Sequence, residues 1–521
     1  MPDRPNVLFL LSDEHSVRCF GHREEGGEPV HTPTFDDLAA NAATFENTYT
    51  AMPLCTPSRL CLLTGREVRG AGAWTNRMHL QPDLPTVADS LSAAGYETCL
   101  LGKMHLGGNR QFAGFDHRPY GDLTGGTGHQ YDPPTPDMSR GMAMRSRTAD
   151  AGRTRIPESH LQERNVLEET LAWLREHDHR SDEPWFLTAS FSRPHFPLTA
   201  PSRHLDRYWP DGVTEPPVGY EGDTTDHPMT LGAREGFRVD EIGDEERRRA
   251  RAAYFACVSF LDEIIGDLLA ALEREGFLED TVVVYTSDHG ELAGEHGLWW
   301  KHTWHEAAAR VPLLVQTPGH RSGERESAEI GTPVSLLDLY PTLCSLVGAD
   351  VPGDLDGADL SGAVRTGDEP DRGPVVCDNL TPRWGEGTEF RMVREGGYKY
   401  VAFRDAPELL FDLGADSLEQ ENLAPGAEGA DAEALERLRG FVDDTMDFEA
   451  AEAERERDER DLRENHRLGA PEGSGNAYLM ADGRVVDADA PLYRPHVLIE
   501  DPGAAFGDWP ADDDPDPPSA T

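Results

Sequence analysis

Two apolar runs in this chain stop on the same kind of residue. "NVLFLLS", Asn6 to Ser12, runs into Asp13, Glu14 and His15, and "TVVVYTS", Thr281 to Ser287, runs into Asp288, His289 and Gly290. Runs of this length without a polar break read as strands buried on both faces of a parallel sheet. Ligands bind at the carboxyl ends of such strands. If the two are neighbours, Asp13, Asp288 and His289 can meet around a divalent cation. Carboxylate oxygens with one imidazole suit Ca2+, Mg2+ or Mn2+ better than zinc. Taken alone, an aspartate after a strand is more often a helix cap or a turn residue, so the pairing carries the reading.

Cations and imidazoles gather in three further short segments. "LGKMHLG" sets Lys103 and His105 two residues apart, on one side of an extended segment. "RPHFP" holds His195 between prolines, and "LWWKHTW" puts Lys301 after two tryptophans. A lone histidine is ordinarily a satisfied core or surface residue, and a lysine a solvated stem. Lysine, however, occurs only at Lys103, Lys301 and Lys399 among 48 basic residues, and two of those fall in these segments. Where arginine has taken almost every basic position, a surviving lysine marks one that arginine does not serve. Together the groups describe a metal ringed by positive charge, fit to receive a tetrahedral oxyanion. "CTPSRLCLLTGR" offers a nucleophile, Cys55, two residues before Pro57 and four before Arg59. By itself it reads as a buried thiol at a helix start or as a thiolate activated by Arg59.

These residues need a frame. "TPTFDDLAANAATFENTYT", Thr32 to Thr50, reads as a helix; a second helix ends at Gly95 and leads into a short strand reaching Gly102. "NVLEETLAWLREHD" and "PWFLTASFSRPHFPL" repeat helix then strand, as do "AYFACVSFLDEIIGDLLAALEREG" and "TVVVYTSDHG". The alternation predicts an α/β fold, a mostly parallel sheet with helices on both faces. Residues 107–157 and 201–244, polar and rich in Gly, Pro and His, read as long loops shaping a substrate pocket. "PVVCDNL", "EFRMVREGGYKYVAF" and "PELLFDL" predict a small antiparallel sheet. A strongly charged helix with a solvated face follows over 443–468. "MADGRVVDA" predicts a hairpin at Asp482-Gly483, and "GDWPADDDPDPPSAT" a disordered acidic tail. On this reading the chain divides into an α/β catalytic domain (1–372), an antiparallel subdomain (373–445) and an acidic helical extension with a tail (446–521).

The 521 residues, 38% of them hydrophobic, can bury a large core. A net charge of −48, from 96 acidic against 48 basic residues, excludes a nucleic-acid partner, whose phosphates would be repelled. So acidic and lysine-poor a surface predicts a halophilic protein, its self-repulsion screened within ~3 Å at 1 M salt. The start has no signal-peptide pattern and no stretch is long enough to span a membrane. Seven scattered cysteines read as reduced thiols in a cytoplasmic protein. Trp74, Trp299, Trp300 and Trp304 read as walls for an organic leaving group or as core aromatics.

The stretch around Cys55 resembles the signature of the formylglycine-dependent sulfatases of the alkaline phosphatase superfamily. In that family Cys-x-Pro-x-Arg marks a cysteine for oxidation to an aldehyde. Cys55, Pro57, Ser58, Arg59, Thr64, Gly65 and Arg66 all stand where the pattern wants them. "RPNVLFLLSD", "GKMHLG", "RPHFP", "VVVYTSDHGE" and "LFDLGADSLEQENLA" are similar to further family segments, carrying the resemblance from Asn6 to about Ala424. It implies an alkaline-phosphatase-like core with a small C-terminal antiparallel subdomain, hydrolysing a small-molecule or carbohydrate sulfate monoester to an alcohol and inorganic sulfate. It implies one divalent metal, Ca2+ ahead of Mg2+ or Mn2+, on Asp13, Glu14, Asp288, His289 and an oxygen of residue 55. Cys55 would become formylglycine (3-oxoalanine) through a formylglycine-generating enzyme. Cys55, Arg59, Lys103, His105, His195 and Lys301 would be catalytic, with Asn76 and His305 on the substrate. Asp288-His289 and Asn76 are similar to the choline sulfatase and phosphonate monoester hydrolase branch. A phosphonate monoester hydrolase or phosphodiesterase with the same site is therefore the alternative. The chain departs from the common pattern at Glu14, often aspartate, and at His302 and His305, often Gly and Tyr. The resemblance brings in no membrane and leaves a homo-oligomer open.

Overall fold

In the computed structural model, residues 4–21, 27–76, 78–107, 110–121, 144–176, 183–464, 477–479 and 485–487 are described. An eight-stranded sheet is built from β1 (Asn6–Asp13), β2 (Ala43–Phe45), β3 (Glu97–Gly102), β4 (His117–Tyr120), β5 (Trp185–Pro194), β6 (Thr281–Ser287), β7 (Leu313–Gln316) and β8 (Ala328–Ile330). Their order is β8-β2-β7-β6-β1-β5-β3-β4, and only β7 runs against its neighbours. The sheet is thus mixed and mostly parallel, as the alternation of helices and apolar runs predicts.

The central strands are continuously apolar because both of their faces are covered. Val7, Phe9 and Leu11 of β1 enter one core and Leu8 and Leu10 another; in β6, Val282 and Val284 divide from Val283 and Tyr285 in the same way. Pairing from Asn6↔Thr281 to Ser12↔Ser287 is unbroken. Asp13 and Asp288 therefore leave the sheet at one level. On the other side of β1, Asp13 pairs with Pro194, so the residue after β5, His195, arrives at the same rim. Gly102, with φ +84°, ends β3 so close to β5 that a Cβ would lie 2.0 Å from the Ser190 carbonyl oxygen. Only glycine can sit there, and it delivers Lys103 to that rim.

The helices are α1 (Pro33–Ala40), α2 (Cys55–Thr64), α3 (Val87–Ala93), α4 (Gln162–Glu176), α5 (Asp244–Glu275) and α6 (Leu339–Val347). α5 opens with three acidic residues in its first turn and stops at Gly276 in the left-handed conformation, both favourable ends. The helix expected over Thr32–Thr50 stops at Ala40. Its second half forms β2 and the short strand Thr48–Tyr49, because Thr44, Phe45, Thr48 and Tyr49 favour extended backbone and each short strand pairs with a neighbour on both sides. The expected loop over 107–157 contains edge strand β4, whose Pro119 suits an edge position, and the helix Met144–Ala149. The loop expected over 201–244 contains the helix Pro228–Phe237.

The antiparallel sheet comprises β9 (Val375–Asn379), β10 (Phe390–Glu395), β11 (Tyr398–Phe403) and β12 (Leu409–Asp412), in sequential order. Val376, Val393 and Tyr400 face the core that holds α2, while Cys377, Met392 and Val401 pack with residues of α5. The charged segment is two helices, α7 (Ala430–Thr445) and α8 (Phe448–Glu464), and α8 is not simply solvated. Ala451 is buried, Asp458 accepts a hydrogen bond from Trp74 Nε1 (2.9 Å), and Glu454 pairs with Arg69 (2.8 Å). Trp74 is thereby a core residue. Strands Ala477–Leu479 and Val485–Asp487 pair antiparallel; the expected turn between them and the acidic tail lie outside the described residues. No helix among the described residues is long and apolar enough to cross a membrane.

All three lysines are buried. Lys399 of β11 pairs with Glu306 (2.9 Å) and Glu419 (2.7 Å), and Tyr49 also donates to Glu306 (3.1 Å). Lys399→Met is expected to destabilise the fold by about 3–5 kcal/mol, because two buried carboxylates lose their shared cation. Chemical denaturation would show the loss; an unchanged midpoint would mean the carboxylates are neutralised without Lys399.

Candidate active site

The nucleophile candidate starts a helix whose first turn is secured from outside. All ten residues of α2 are buried, and its N-cap, Leu54, provides no side-chain acceptor. Pro57 has no N–H to satisfy, and the Thr56 N–H donates to Asn76 Oδ1 (3.0 Å). Asn76 therefore positions the helix that carries Cys55. Thr56 Oγ1 donates to the His105 carbonyl (2.7 Å), which ties the Lys103–His105 segment to the same turn. Gly65, with φ 64°, closes the helix.

One turn after Cys55, Arg59 spends its guanidinium on four acceptors. Nε donates to Asp288 Oδ2 (2.7 Å), Nη2 to Asp13 Oδ2 (3.0 Å), and Nη1 to the Lys103 carbonyl (2.7 Å) and Ser190 Oγ (3.1 Å). Through these bonds Arg59 fixes the two aspartates that flank residue 55. Its fork holds the outer oxygen of each aspartate, and the inner oxygens face residue 55. Asp13 Oδ1 lies 3.9 Å from Cys55 Sγ, and Asp288 Oδ1 accepts from the backbone N–H groups of Glu14 (3.1 Å) and His289 (2.9 Å). Ser58 Oγ adds a bond to the Asp288 carbonyl (2.6 Å).

Two further groups touch the thiol. His289 Nε2 is 3.3 Å and Lys301 Nζ 3.2 Å from Sγ. Burial and Asp13 push the Cys55 thiol up, but Lys301, Lys103 and His289 outweigh them and hold it well below its ordinary value. Burial likewise opposes the charge on Asp13, yet Lys103, Arg59, Lys301 and His289 keep that carboxyl well below the usual range. Lys103 Nζ pairs with Asp13 Oδ2.

Glu14 is the strained member. Its φ of 68° is unusual for a side chain with a Cβ, and Tyr254 of α5 holds its carbonyl (2.7 Å). Lys301 lies 3.2 Å from Oε1 and His195 Nε2 lies 3.3 Å from Oε2, while burial raises the carboxyl well above its ordinary value. Neither carboxylate oxygen has a hydrogen-bond partner, though both are buried. A buried carboxylate approached only by Lys301 and His195, beside two others, offers oxygens suited to a hard cation. Asp13, Cys55, Asp288 and His289 bring ligand atoms within 4.8 Å of one another, and Asp13, Glu14 and His195 form an overlapping group. The donor set therefore fits a divalent metal. Glu14, His105, Trp300 and His302 are four of the nine non-glycine residues with positive φ among the described residues, so strained backbone concentrates here.

His195 is oriented by its own neighbour. Nδ1 donates to the Phe196 carbonyl (2.6 Å), which makes Nε2 the nitrogen that faces the site. His305, expected on the substrate, has its recorded ring contacts elsewhere: it stacks on Trp304 (4.6 Å) and lies against His296 (4.1 Å), beside the Lys399 cluster. His302 is the nearer histidine. Its backbone N–H donates to the Pro53 carbonyl (3.1 Å), and burial, with Arg383, Lys301, His289 and Arg147 around it, drives its pKa well below the ordinary value. His15 turns into the core between Tyr285 (2.6 Å) and the Cys19 carbonyl (3.0 Å), and burial lowers it to about 4. Ser58, Ser190 and Tyr254 are supporting residues that the sequence reading assigned no role. Only Ser58 carried a signal, its place in the Cys55 motif.

Comparison with known proteins agrees with this arrangement. The family model described as Sulfatase matches residues 5–349, and one described as the C-terminal part of N-sulphoglucosamine sulphohydrolase matches residues 294–439. A choline-sulfatase of Rhizobium meliloti (strain 1021) is 33% identical over 465 residues, covering 86% of this chain and 88% of the relative. A phosphonate monoester hydrolase from Silicibacter pomeroyi superposes with a TM-score of 0.69 at 24% identity, over 93% of this chain and all of that one. The structure of BT4656 with its substrate D-glucosamine-2-N,6-O-disulfate gives 0.68 at 24%, over 86% of this chain and 99% of the other. These likenesses run through the very strands and helix that gather Asp13, Cys55 and Asp288, and the chain belongs to the sulfatase family, whose members are sulfuric ester hydrolases.

Proposed function

We propose that this chain hydrolyses the sulfate monoester of an organic alcohol, with residue 55 matured from cysteine to formylglycine. The observation that carries this is the position of Cys55 Sγ, 3.2 Å from Lys301 and 3.3 Å from His289, against the carboxylates of Asp13 and Asp288. The aldehyde hydrate supplies an oxygen nucleophile, and a divalent cation held by Asp13, Glu14, Asp288 and His289 supplies Lewis acidity. Lys301, in contact with residue 55, and Lys103, beside Asp13, stabilise charge on the sulfuryl oxygens. His195 Nε2 gives its proton to the departing alcohol oxygen. His105, on the segment tied to Thr56, accepts the proton that must leave before sulfate is expelled. Cys55 is only 1% exposed, which supports its oxidation by a formylglycine-generating enzyme before α2 packs.

Three oxygen-bearing side chains in the metal group support Ca2+ over zinc, with Mg2+ and Mn2+ as alternatives. A chain with two acids per base, whose three lysines are all buried, supports a halophilic protein. Seven cysteines, all buried and none in a disulfide, support a reducing compartment, which we take to be the cytoplasm.

The test is release of inorganic sulfate from an aryl sulfate, set against release of alcohol from the matching aryl phosphonate monoester. Sulfate ester turnover should dominate, vanish with a chelator and return with added Ca2+. Faster phosphonate turnover would replace the reading with that of a phosphonate monoester hydrolase. Run at low and high potassium chloride, the assay should show activity and Tm rising together; a fall in both would remove the halophilic reading. His195→Asn should cost about tenfold on an aryl sulfate and about 10³-fold on an alkyl sulfate, since only the poor leaving group needs the proton. Equal losses on both would mean His195 is not the proton donor.

A further inference from the structure

The side chains around residue 55 make one kind of site with the encoded thiol and another with an aldehyde hydrate. Asp13, Cys55, Asp288 and His289 each hold a ligand atom within 4.8 Å of the others, and all four residues are buried. His289 Nε2 lies 3.3 Å from Cys55 Sγ, 3.8 Å from Asp13 Oδ1 and 3.6 Å from Asp288 Oδ1. Sγ itself lies 3.9 Å from Asp13 Oδ1. A tetrahedral zinc ion, with bonds of about 2.0–2.3 Å, sets neighbouring donors about 3.3–3.6 Å apart. The separations found here come within a few tenths of an ångström of that spacing.

The surroundings limit the number of donors to four. Arg59 holds the outer oxygen of each aspartate, so each carboxylate turns one oxygen inward. His289 Nδ1 donates to the Gly290 carbonyl (3.0 Å), which leaves the lone pair on Nε2. One sulfur, one imidazole nitrogen and two oxygens form a four-coordinate set of the zinc type. Ca2+ takes about six to eight oxygens and has no use for a thiolate. A thiolate also adds a fourth anion to Asp13, Glu14 and Asp288, against the fixed cations Lys103, Arg59 and Lys301. Lys301 Nζ, 3.2 Å from Sγ, stays as a hydrogen-bond donor to the sulfur. Among the described residues the other six cysteines enter no such group, so soft-ligand chemistry is confined to residue 55.

We propose that the unmatured chain is a zinc protein, in which Cys55, His289 and the inner oxygens of Asp13 and Asp288 close tetrahedrally on Zn2+. Maturation then changes the metal. With the sulfur gone, residue 55 offers only oxygen, and the site passes to a hard cation. The zinc site stands on the encoded thiol alone, whereas the exchange rests on the formylglycine reading. A thiolate bound to zinc is not free for oxidation, so a chain that folds and takes zinc first stays unmatured.

The probe is Co2+, which enters zinc sites and reveals its ligands by absorption. Full-length chain is made in a host without a formylglycine-generating enzyme, residue 55 is confirmed as cysteine by mass spectrometry, and the protein is stripped and titrated. Co2+ should raise an intense sulfur-to-cobalt charge-transfer band in the near ultraviolet. An equivalent of Zn2+ should abolish the band, while Ca2+ in about 10³-fold excess should leave it. Cys55→Ser should lose the band and bind Zn2+ at least about 10²-fold more weakly by calorimetry. Matured protein from the native host should show no band and yield its cobalt to Ca2+. That comparison changes residue 55 without a substitution, so it decides the matter if the variant fails to fold. Cobalt bound to the thiol form without the band, a band that survives in Cys55→Ser, or Ca2+ displacing cobalt as readily as Zn2+ does would overturn the zinc site. Matured protein that prefers Zn2+ to Ca2+ as strongly as the thiol form would overturn the exchange. None of these touches sulfate release by matured enzyme, whereas active native-host protein carrying only the thiol would overturn the formylglycine reading instead.

Discussion

Cys55→Ser is expected to fold normally, release about one equivalent of alcohol per molecule, and then stop, with steady-state turnover down about 10⁴-fold. Serine places an oxygen where Sγ lies, within reach of the same Lys301 and His289. That oxygen can bond to sulfur while the bond from sulfur to the alcohol oxygen breaks, with the alcohol taking a proton from His195. The enzyme is then left as a serine sulfate ester. No second hydroxyl stands on the same carbon to drive sulfate off, which is the advantage of an aldehyde hydrate over a plain alcohol. The burst would be read by rapid quench, and the trapped ester by mass spectrometry of the peptide containing residue 55. The same peptide from active wild-type enzyme should lack the sulfur and carry an aldehyde that reacts with a carbonyl probe. Active enzyme with an intact thiol, or a Cys55→Ser variant that keeps turning over, would show that another group attacks.

How far the sequence foretells this site depends on which physical constraint each residue answers. Buried parallel strands must be apolar throughout, so β1, β5 and β6 stand out, and with them the residues at their carboxyl ends. Lysine scarcity makes Lys103 and Lys301 conspicuous, and their burial beside Asp13 and residue 55 follows that signal. The second half of the expected first helix fails because β2 has three residues and the strand after it two. No periodicity survives at that length, and pairing with strands on both sides decides the conformation. Backbone strain is invisible for another reason: nothing in the letters "SDEH" says that Glu14 takes φ 68°. His302 and His305 show the limit most sharply. Both lie within four residues of Lys301, yet one stands with Arg383 and Trp384 while the other turns to His296. Arg147 and Arg383 are 236 positions apart, and only the tertiary fold brings them to one indole ring.

Arg59→Lys, conservative by charge, is expected to lower metal affinity by about 10–100-fold and kcat/KM by at least about 10²-fold. A guanidinium spans Asp13 Oδ2, Asp288 Oδ2, Ser190 Oγ and the Lys103 carbonyl at once, and a single ammonium cannot. Each aspartate would then turn about its own χ angles, and the inner oxygens would lose the fixed aim that preorganises them for a cation. Burial makes the consequence larger. Asp288 is already raised by burial with Arg59 opposing that shift, so weakening the arginine favours its protonated form, which binds metal poorly. Because Arg59 also belongs to the motif that marks Cys55 for oxidation, lost maturation could mimic lost catalysis. Two measurements separate them. The aldehyde content of residue 55, read by mass spectrometry, normalises turnover to matured molecules. Titration of the Arg59→Lys protein with Ca2+ or Mn2+, followed by calorimetry and thermal shift, reads the carboxylate pair without any turnover. A variant that binds the metal as tightly as wild type while its matured fraction works at full rate would show that the carboxylates hold their geometry without the fork. Arg59 would then matter to maturation alone.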